Sequence, residues 1–405
     1  MTMNRRKALR NLLTTAPALA ASRMLTGQAN NPVALAGYTG QIRIREVRVY
    51  HVKKLVVVGV VADDGTIGWG EAGHSGSRYV AKLVRDYGQS LVVGSDPFDT
   101  ARTWHSLYYE LDELGPGGVV SQAIAGIDCA LWDLRGRLLQ QPVWALIGGK
   151  FRSDFPLYGS FSRSLGNNRY MTAAQAAAKA AELAAEGFQA IKFRLGIREE
   201  GVDPDPKPIW EAIAAVRQAI GDKIDLYIDA NNGYTPGQAI EVARRLHETY
   251  NVSVFEEPVA AYQYASLRKV SEAGHLLIAA GEHEYDKWDF RDLIQQGQPH
   301  ILNPDISKCC GLTECIKVAT LAEVFDCPIS VHNARPTLLN AAHMHFVAAS
   351  RMAYRPQEHP GHKRLGYLWK YFHNTQKHEN GRMQVYDEPG LGLEVNEQAL
   401  KEDAQ

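Results

Sequence analysis

The spacing of apolar residues changes once along the chain. From 43 to 61, β-branched residues alternate with polar ones, Asp63-Asp64-Gly65 supplies a turn, and 67–71 forms a short returning strand. Three segments with apolar residues at helical spacing follow, at 79–91, 99–111 and 121–139. A strand meander followed by helices predicts a separate α+β domain, which we assign to residues 41–135.

After Pro142 the pattern becomes repetitive, because short apolar strands alternate with amphipathic helices such as 172–186 and 236–249. The predicted strands are 155–159, 190–195, 225–229, 253–256, 277–281, 301–305, 328–332 and 356–359. This alternation predicts a closed α/β barrel of parallel strands over 136–375, rather than an open sheet. The turn-rich segment 376–405 is expected to pack back on the first domain.

Length and composition fit this two-domain interpretation. A chain of 405 residues with 45% hydrophobic and 22% charged residues is ordinary for a globular protein. The formal net charge of -1 gives no global attraction to nucleic acid or to an anionic membrane. The five cysteines are an odd number and lack the spacing of a disulfide or zinc framework, so we expect buried free thiols.

Residues 1–31 have the composition of an export signal and linker. Arg5-Arg6 precedes the apolar stretch 12–19, and Ala18-Leu19-Ala20 offers a small-residue cleavage site. The paired arginines indicate the twin-arginine route and a periplasmic or otherwise exported protein. The alternative is a disordered basic tail on a cytoplasmic protein. The apolar stretch is too short to cross a bilayer, so no membrane association of the mature protein is expected.

Carboxylates end three successive predicted strands, at Asp229, Glu256 and Glu282. Because the C-terminal ends of barrel strands meet at one rim, these side chains are expected to lie side by side. Like charges that close repel one another unless a cation neutralises them, and hard oxygen ligands suit Mg²⁺. Each residue alone is typical of a helix cap or a surface charge, but the repeated position favours a magnesium site.

Two cations lie on the second predicted strand, at Lys192 and Arg194. Residues two apart on a strand share a face, so both side chains point the same way. Burying two cations without a counter-ion is costly, which favours a role beside a carboxylate substrate and the metal cluster. The alternative is a pair of structural salt bridges to Asp229 and Glu256.

The sixth and seventh predicted strands end in Asp305 and His332. A carboxylate on one imidazole nitrogen fixes the tautomer and raises the basicity of the other nitrogen. This pairing predicts that His332 is a general base, the alternative being a structural histidine.

Residues 125–136, AGIDCALWDLRG, together with Pro142 and Leu146-Ile147-Gly148-Gly149, resemble the domain-junction signature of the enolase superfamily. The resemblance covers residues 42–395. It implies an α/β fold in which an N-terminal α+β capping domain covers a modified (β/α)7β TIM-type barrel. It also implies one Mg²⁺ per active site, with the ligands Asp229, Glu256 and Glu282.

The His332–Asp305 pair is similar to that of the mandelate racemase subgroup, which includes many sugar-acid dehydratases. The muconate-lactonizing subgroup would carry a lysine at the position of Asp305. Glu358, on the last strand, matches the position of an acidic residue that is hydrogen-bonded to the substrate in this subgroup.

Arg194 departs from the racemase pattern, in which a second lysine is the base on the opposite face. A guanidinium is a poor proton acceptor, and racemisation needs a base on each face of the α-carbon. Elimination of a β-hydroxyl can proceed with His332 alone, while Lys192 stabilises the substrate carboxylate. The substitution therefore favours dehydration over racemisation.

The family closes its site with two loops of the capping domain. Here the first is reduced to about 51–54, so the site is either more open or completed by a neighbouring subunit, and we expect a homo-oligomer. The second loop spans 73–79. The candidate substrate contacts are His74, Ser75, Arg78, Asn231, His283, Asn333 and Arg335.

The sequence thus predicts a Mg²⁺-dependent dehydratase that converts an aldonate or aldarate to a 2-keto-3-deoxy acid. The alternatives are an epimerase, racemase or cycloisomerase that uses the same enolate, and a non-catalytic periplasmic protein that binds sugar acids.

Overall fold

The computed structural model of the chain describes residues 40–404, except 74, 168, 198–201, 205–206, 334, 362–365 and 375–377. The proposed export signal at 1–31 and the candidate contact His74 lie outside these residues. None of the described helices combines the length and apolar character needed to cross a membrane.

The first part of the chain is an antiparallel sheet covered by helices. Its strands are β1 (Ile44–Val52), β2 (Leu55–Ala62) and β3 (Ile67–Ala72), and its helices are α1 (Ser77–Tyr87), α2 (Thr100–Leu111) and α3 (Val119–Leu139). Only Lys53 and Lys54 join β1 to β2, so the first capping loop is a tight hairpin.

Strand β2 is buried along its whole length because its two faces contribute to different cores. Val56, Val58 and Val60 pack with the helices of the capping domain, whereas Leu55 and Val57 join the core of the barrel. Since successive strand residues point to opposite faces, an uninterrupted apolar strand fits this place between two domains.

Helix α3 lies unusually close to β3, and two glycines permit the approach. A Cβ atom at Gly68 would lie 2.3 Å from the carbonyl oxygen of Ala130, and one at Gly70 would lie 2.2 Å from that of Gly126. A side chain at either position is therefore excluded, which explains the Gly-Trp-Gly spacing.

The second part is a curled parallel sheet. The chain passes from α4 (Val143–Leu146) into its seven strands, β4 (Asp154–Ser162), β7 (Ala190–Arg194), β8 (Asp225–Asp229), β9 (Val252–Glu256), β10 (Leu277–Ala280), β11 (Ile301–Leu302) and β12 (Gln357–His359). A small hairpin interrupts the run, at β5 (Ser164–Gly166) and β6 (Arg169–Tyr170). The helices between the strands are α5 (Ala173–Ala185), α6 (Lys207–Ile220), α7 (Pro236–Tyr250), α8 (Tyr264–Glu272), α9 (Lys287–Asp292), α10 (Leu312–Val324) and α11 (Leu338–Ala349).

The strand order, β11-β10-β9-β8-β7-β4-β12, is that of a TIM-type barrel beneath a capping domain, as predicted. Inside the barrel a separate apolar layer is formed by Tyr158, Ala190, Tyr227, Val254, Ala279 and Ile301. The polar ends of the strands lie above this layer, so the barrel interior is a packed floor and its rim carries the polar groups.

The predicted strand at 328–332 is wrong as a regular strand, since only the bridge between Leu302 and Ile329 forms. The backbone still runs beside β11, because Ser330 N–H donates to Leu302 O at 2.9 Å and His332 N–H donates to Pro304 O at 3.1 Å. On its other side, Val331 N–H donates to the Gln357 side chain at 2.8 Å instead of to a neighbouring strand.

The segment after the barrel contacts both domains. Strand β13 (Arg382–Gln384) pairs with β4 antiparallel, and helix α12 (Glu397–Asp403) lies against β1, where Arg48 Nη1 is 2.9 Å from Glu397 Oε1. This segment therefore contacts the barrel through β13 and the capping domain through α12.

Candidate active site

Strand register brings the predicted metal ligands to one rim. Arg194 pairs with Asp229, and Asp229 pairs with Glu256 on the next strand. Glu282 follows β10 by two residues, after Gly281, whose φ of 131° belongs to a region that favours glycine. All three carboxylates are buried, with 0% exposure for Asp229, 2% for Glu256 and 5% for Glu282.

The two predicted cations point into this cluster. Lys192 Nζ lies 2.5 Å from Glu256 Oε1, 3.2 Å from Glu358 Oε1 and 3.9 Å from Asp229 Oδ2. Arg194 Nε lies 3.2 Å from Asp229 Oδ2. The ion pairs of the alternative interpretation are thus present, and a role of the two cations beside a substrate stays a prediction.

Burial and charge set the protonation of this group. Burial alone would lower the pKa of Lys192, but Glu256 and Glu358 raise it well above its usual value. Burial raises the pKa of Glu256 to about 8, even though Lys192 opposes the shift. Burial disfavours ionisation of Glu358 too, but Lys192 and His332 lower its pKa to about 2. A further cation close to Glu256 would lower its pKa.

The predicted base and its partner are in hydrogen-bond contact, with His332 Nδ1 2.7 Å from Asp305 Oδ2. The other carboxylate oxygen of Asp305 accepts hydrogen bonds from the N–H and the hydroxyl of Ser307, at 2.8 and 2.7 Å. With Nδ1–H donating to Asp305, Nε2 is left to accept a proton. Burial would lower the pKa of His332, but the carboxylates of Glu282, Glu358 and Asp305 raise it overall.

The donor set fits a divalent cation. Glu282 Oε2 is buried and makes no hydrogen bond among the described residues, although His332 Nε2 lies 3.2 Å from it, while its Oε1 accepts from Lys308 Nζ at 3.1 Å. Burial would raise the pKa of Glu282, but His332 and Lys308 hold it well below the usual range, so the carboxylate is ionised. Three buried carboxylate side chains that include an unsatisfied oxygen are suitable ligands for Mg²⁺.

A second grouping shares one of these ligands. Ligand atoms of Glu257, Glu282 and His283 lie within 4.8 Å of one another. Asp229 and Glu256 are not part of this grouping and contact Arg194 and Lys192 instead. Glu282 lies beside His332, with Oε2 3.2 Å from Nε2, whereas Glu257 is held by Asn232 Nδ2 at 2.8 Å, and the ligand set of Asp229, Glu256 and Glu282 stays a prediction.

Two of the candidate substrate contacts lie at the rim. Asn231 donates from Nδ2 to Asp229 Oδ2 at 2.9 Å, and its backbone N–H donates to Asp229 Oδ1 at 2.7 Å. His283 Nε2 lies 3.4 Å from Glu257 Oε1, and its side chain is 29% exposed. On the capping domain, Ser75 and Arg78 are exposed to solvent.

Asn333 and Arg335 have structural contacts. Asn333 donates from Nδ2 to Asn340 Oδ1 at 2.7 Å and from its backbone to Glu358 Oε2 at 2.9 Å. Arg335 donates to Glu71 Oε1 at 2.9 Å and to the carbonyl oxygen of Lys54 at 3.2 Å. The guanidinium thus joins barrel and capping domain, and its predicted substrate contact stays a prediction.

Sequence reasoning missed the contributions of Glu71, Glu257 and Lys308. Glu71 is buried on β3 and accepts hydrogen bonds from the Thr337 hydroxyl and the Leu339 N–H, which ties the capping domain to the start of α11. The ammonium of Lys308 lies 3.1 Å from Oε1 of Glu282, a predicted metal ligand. The doubled carboxylate Glu256-Glu257 was the available signal for the second grouping.

A capped barrel with a rim of buried carboxylates, a lysine and a His–Asp pair defines an enzyme of the enolase superfamily. The chain belongs to the mandelate racemase/muconate lactonizing enzyme family. The N-terminal domain model of that family matches residues 44–148, and the enolase C-terminal domain-like model matches residues 175–399.

Several relatives share most of their length with this chain. It is 33% identical to D-galactarolactone cycloisomerase of Agrobacterium fabrum, over 86% of this chain and 90% of that protein. It is 32% identical to D-galactonate dehydratase of Cronobacter sakazakii, over 84% of this chain and 88% of that protein. The crystal structure of the 3,6-anhydro-D-galactonate cycloisomerase from Zobellia galactanivorans superimposes with a TM-score of 0.79 at 28% identity, covering 90% of this chain and 99% of that one. The protein is an enzyme of the dehydratase or cycloisomerase type that these relatives represent.

Proposed function

We propose that the protein is a Mg²⁺-dependent dehydratase that converts a sugar acid, an aldonate or an aldarate, to a 2-keto-3-deoxy acid. The observation that carries the proposal is the asymmetry of the bases. The His332–Asp305 pair stands on one side of the site, and a guanidinium, Arg194, occupies the other. The relatives named as D-galactonate dehydratases support the same reaction type.

Different residues of the chain would bind the metal ion and the substrate carboxylate. Asp229, Glu256 and Glu282 would hold Mg²⁺, which supplies positive charge for the developing enediolate when bound. Lys192, now between Glu256 and Glu358, is placed to donate to a substrate carboxylate. A fixed ammonium in a buried site stabilises negative charge far better than water does.

His332 carries out both proton transfers. Nε2 accepts the proton from the α-carbon, and the electrons of that C–H bond move toward the carboxylate to give an enediolate. The imidazolium then gives its proton to the β-hydroxyl, which leaves as water while the electrons return to form the α,β double bond. The resulting enol takes a proton at the β-carbon and becomes the 2-keto acid.

A cycloisomerase is the second candidate, because relatives at 33% and 28% identity are named as cycloisomerases. The same base and the same enediolate serve this reaction, but no water is lost. The two candidates therefore differ in their products and not in their first step.

The test is incubation of the purified protein with Mg²⁺ and a library of aldonates, aldarates and their lactones. A semicarbazide-reactive keto acid that is lighter than its substrate by one water supports dehydration, whereas a product of unchanged mass supports cycloisomerisation. His332→Asn should lower either activity by roughly 10²–10⁴-fold, the usual contribution of a general base, while Mg²⁺ binding measured by calorimetry persists. Tight binding without turnover of any acid, unaffected by His332→Asn, would instead identify a binding protein.

We also propose that the protein is exported through the twin-arginine route, on the basis of Arg5-Arg6 and the apolar stretch 12–19. Cell fractionation should recover the mature protein outside the cytoplasm. Replacing both arginines by lysine should retain it inside, and equal distribution of the two forms would contradict the proposal.

A further inference from the structure

A cleft of about 610 Å³ lies beside the buried rim, on the side of β8, β9 and β10. Its walls come from segments that follow these strands and from Pro116 and Gly117 of the capping domain. Its size is in the usual range of ligand pockets, roughly 300–1,000 Å³. None of the reaction steps above uses it.

The cleft adjoins the reaction centre through two residues. His283, which lines it, follows Glu282 in sequence, and its Nε2 is 3.6 Å from Glu282 Oε1. Asn232, which also lines it, donates to Glu257. The reacting groups are nearly enclosed, with exposures of 1% for Lys192 and 5% for His332. The cleft therefore adjoins the reaction centre on the side of Glu282.

Tyrosines dominate the walls of the cleft. The ring of Tyr262 is 83% exposed, an unusual value for a large aromatic residue, and Tyr264 and Tyr285 lie in the same lining. Tyr285 is fixed against the capping domain, because a Cβ atom at Gly117 would lie 2.4 Å from its ring. Aromatic faces with polar edges suit ligands that have both apolar C–H faces and hydroxyl groups.

The polar groups of the cleft select a neutral ligand. Its described lining contains no lysine or arginine but includes the carboxylates of Glu284 and Asp289. Asn232 Oδ1 is buried and has no hydrogen-bond partner among the described residues, so it can accept a bond from a ligand hydroxyl. Sugar hydroxyls can donate to these oxygens, whereas the described lining offers no lysine or arginine to hold a second carboxylate or a phosphate.

We propose that this cleft is a subsite for a neutral sugar ring, and that the preferred substrate is a sugar acid carrying a second, glycosidically linked sugar. This inference rests on the proposed function, since the acid portion must react at His332. Lys192 and Arg194 hold the charged end, and the tyrosine-lined cleft holds the second ring.

The experiment compares aldobionic acids (lactobionate, cellobionate, maltobionate and melibionate) with the corresponding aldonates. At least one aldobionic acid should have a kcat/KM about tenfold or more above that of its parent acid, the scale of one aromatic contact. The Tyr262→Ala variant should lose this preference for the aldobionic acid over its parent acid. The matched control is Tyr354→Ala, since Tyr354 is also exposed, at 55%, but lies before β12 at the opposite end of the strands.

Binding is measured independently of turnover, by calorimetry of the same acids on the His332→Asn variant. If parent acids are dehydrated while no aldobionic acid binds better than its parent, the subsite is overturned and the proposed function stands. If no acid is dehydrated but aldobionic acids bind with a Tyr262-dependent advantage, the subsite stands and the proposed function fails. The remaining outcome is a Tyr262→Ala variant that changes the oligomeric mass and leaves the ratio of the two kcat/KM values unchanged. That result overturns the proposal and identifies Tyr262 as a contact between copies of the chain.

Discussion

In the proposed mechanism, the side chain of Arg194 limits which proton transfers can occur in the site. Its Nε lies 3.2 Å from Asp229 Oδ2. Burial would lower the pKa of the guanidinium, but Asp229 and Glu282 raise it, so the group stays protonated. A permanently charged guanidinium has no lone pair for a substrate proton. The proposed mechanism therefore assigns proton abstraction to His332 alone.

Arg194→Lys should restore a possible base on the opposite face, because a lysine amine loses its proton far more readily than a guanidinium. In D₂O with Mg²⁺ and a substrate acid, we expect deuterium at the α-carbon in both configurations. Dehydration should fall at least about tenfold, since the contact of the guanidinium with Asp229 is lost. Proton NMR of the recovered acid measures both effects.

The control for this experiment is Arg194→Gln, which provides neither a cation nor a base. It should lose dehydration without gaining exchange on the second face. If Arg194→Lys also gives deuterium in one configuration only, the prediction is wrong. Racemisation is then prevented by the position of the side chain at 194 and not by its low basicity.

At the scale of secondary-structure elements, the features that the local sequence determines were predictable. The strand Asp225–Asp229 has the predicted bounds, since its apolar run is closed by turns on both sides. Strand-end positions then fixed the order of Asp229, Glu256, Asp305 and His332 around the rim, because every parallel strand presents its end at the same face.

Features that depend on distant partners were not predictable. The segment 328–332 lacks a regular ladder because the Gln357 side chain takes the place of a strand on one side. The contact between Glu71 and Arg335 joins residues 264 positions apart, and no local pattern encodes it. The cleft lined by Tyr262 depends likewise on the approach of the capping segment at Gly117.

Helix α3 and the start of α10 are joined by a buried carboxyl group, and this junction should make stability depend on pH. Asp128 accepts a hydrogen bond from Thr313 N–H at 2.8 Å, and burial raises the pKa of Asp128 to about 7 despite the bonds from Thr313. The unfolded chain loses this proton near pH 4 and the folded chain near pH 7. The contribution of Asp128 to stability is therefore complete below about pH 4 and is lost as the pH rises toward 7.

Asp128→Asn should remove this dependence, since an amide does not titrate. A rise in pKa of this size corresponds to roughly 4 kcal/mol at most. The thermal midpoint of the wild type should therefore fall relative to that of the variant as the pH rises from 4 to 7. Asp112→Asn, on the exposed surface, is the control and should follow the wild type. Parallel pH profiles of the wild type and Asp128→Asn would contradict the assignment.

At the scale of the whole molecule, the barrel and its cap enclose an excess of acid. The carboxylates of Asp229, Glu256, Glu257, Glu282, Asp305 and Glu358 are all nearly fully buried. Lys192, Arg194 and Lys308 contact some of these groups, but burial still raises the pKa of Glu256 and Glu257, so ionising all of the carboxyl groups requires a further cation. These carboxyl groups come from five different βα units, so they meet only when the barrel forms, and a cation that binds among them binds the folded chain alone.

Mg²⁺ should therefore stabilise the whole molecule and EDTA should reverse the effect. At a concentration a hundred times the dissociation constant, the gain is roughly 2.7 kcal/mol, which is measurable as a rise in the thermal midpoint. The neighbouring substitutions Glu256→Gln and Glu257→Gln are nearly isosteric and distinguish the two possible ligand groupings. Glu256→Gln should abolish most of the rise, because it removes a ligand beside Lys192, whereas Glu257→Gln should retain it. The reverse result would place the ion among Glu257, Glu282 and His283, displaced from His332, and would require a different arrangement of substrate and base.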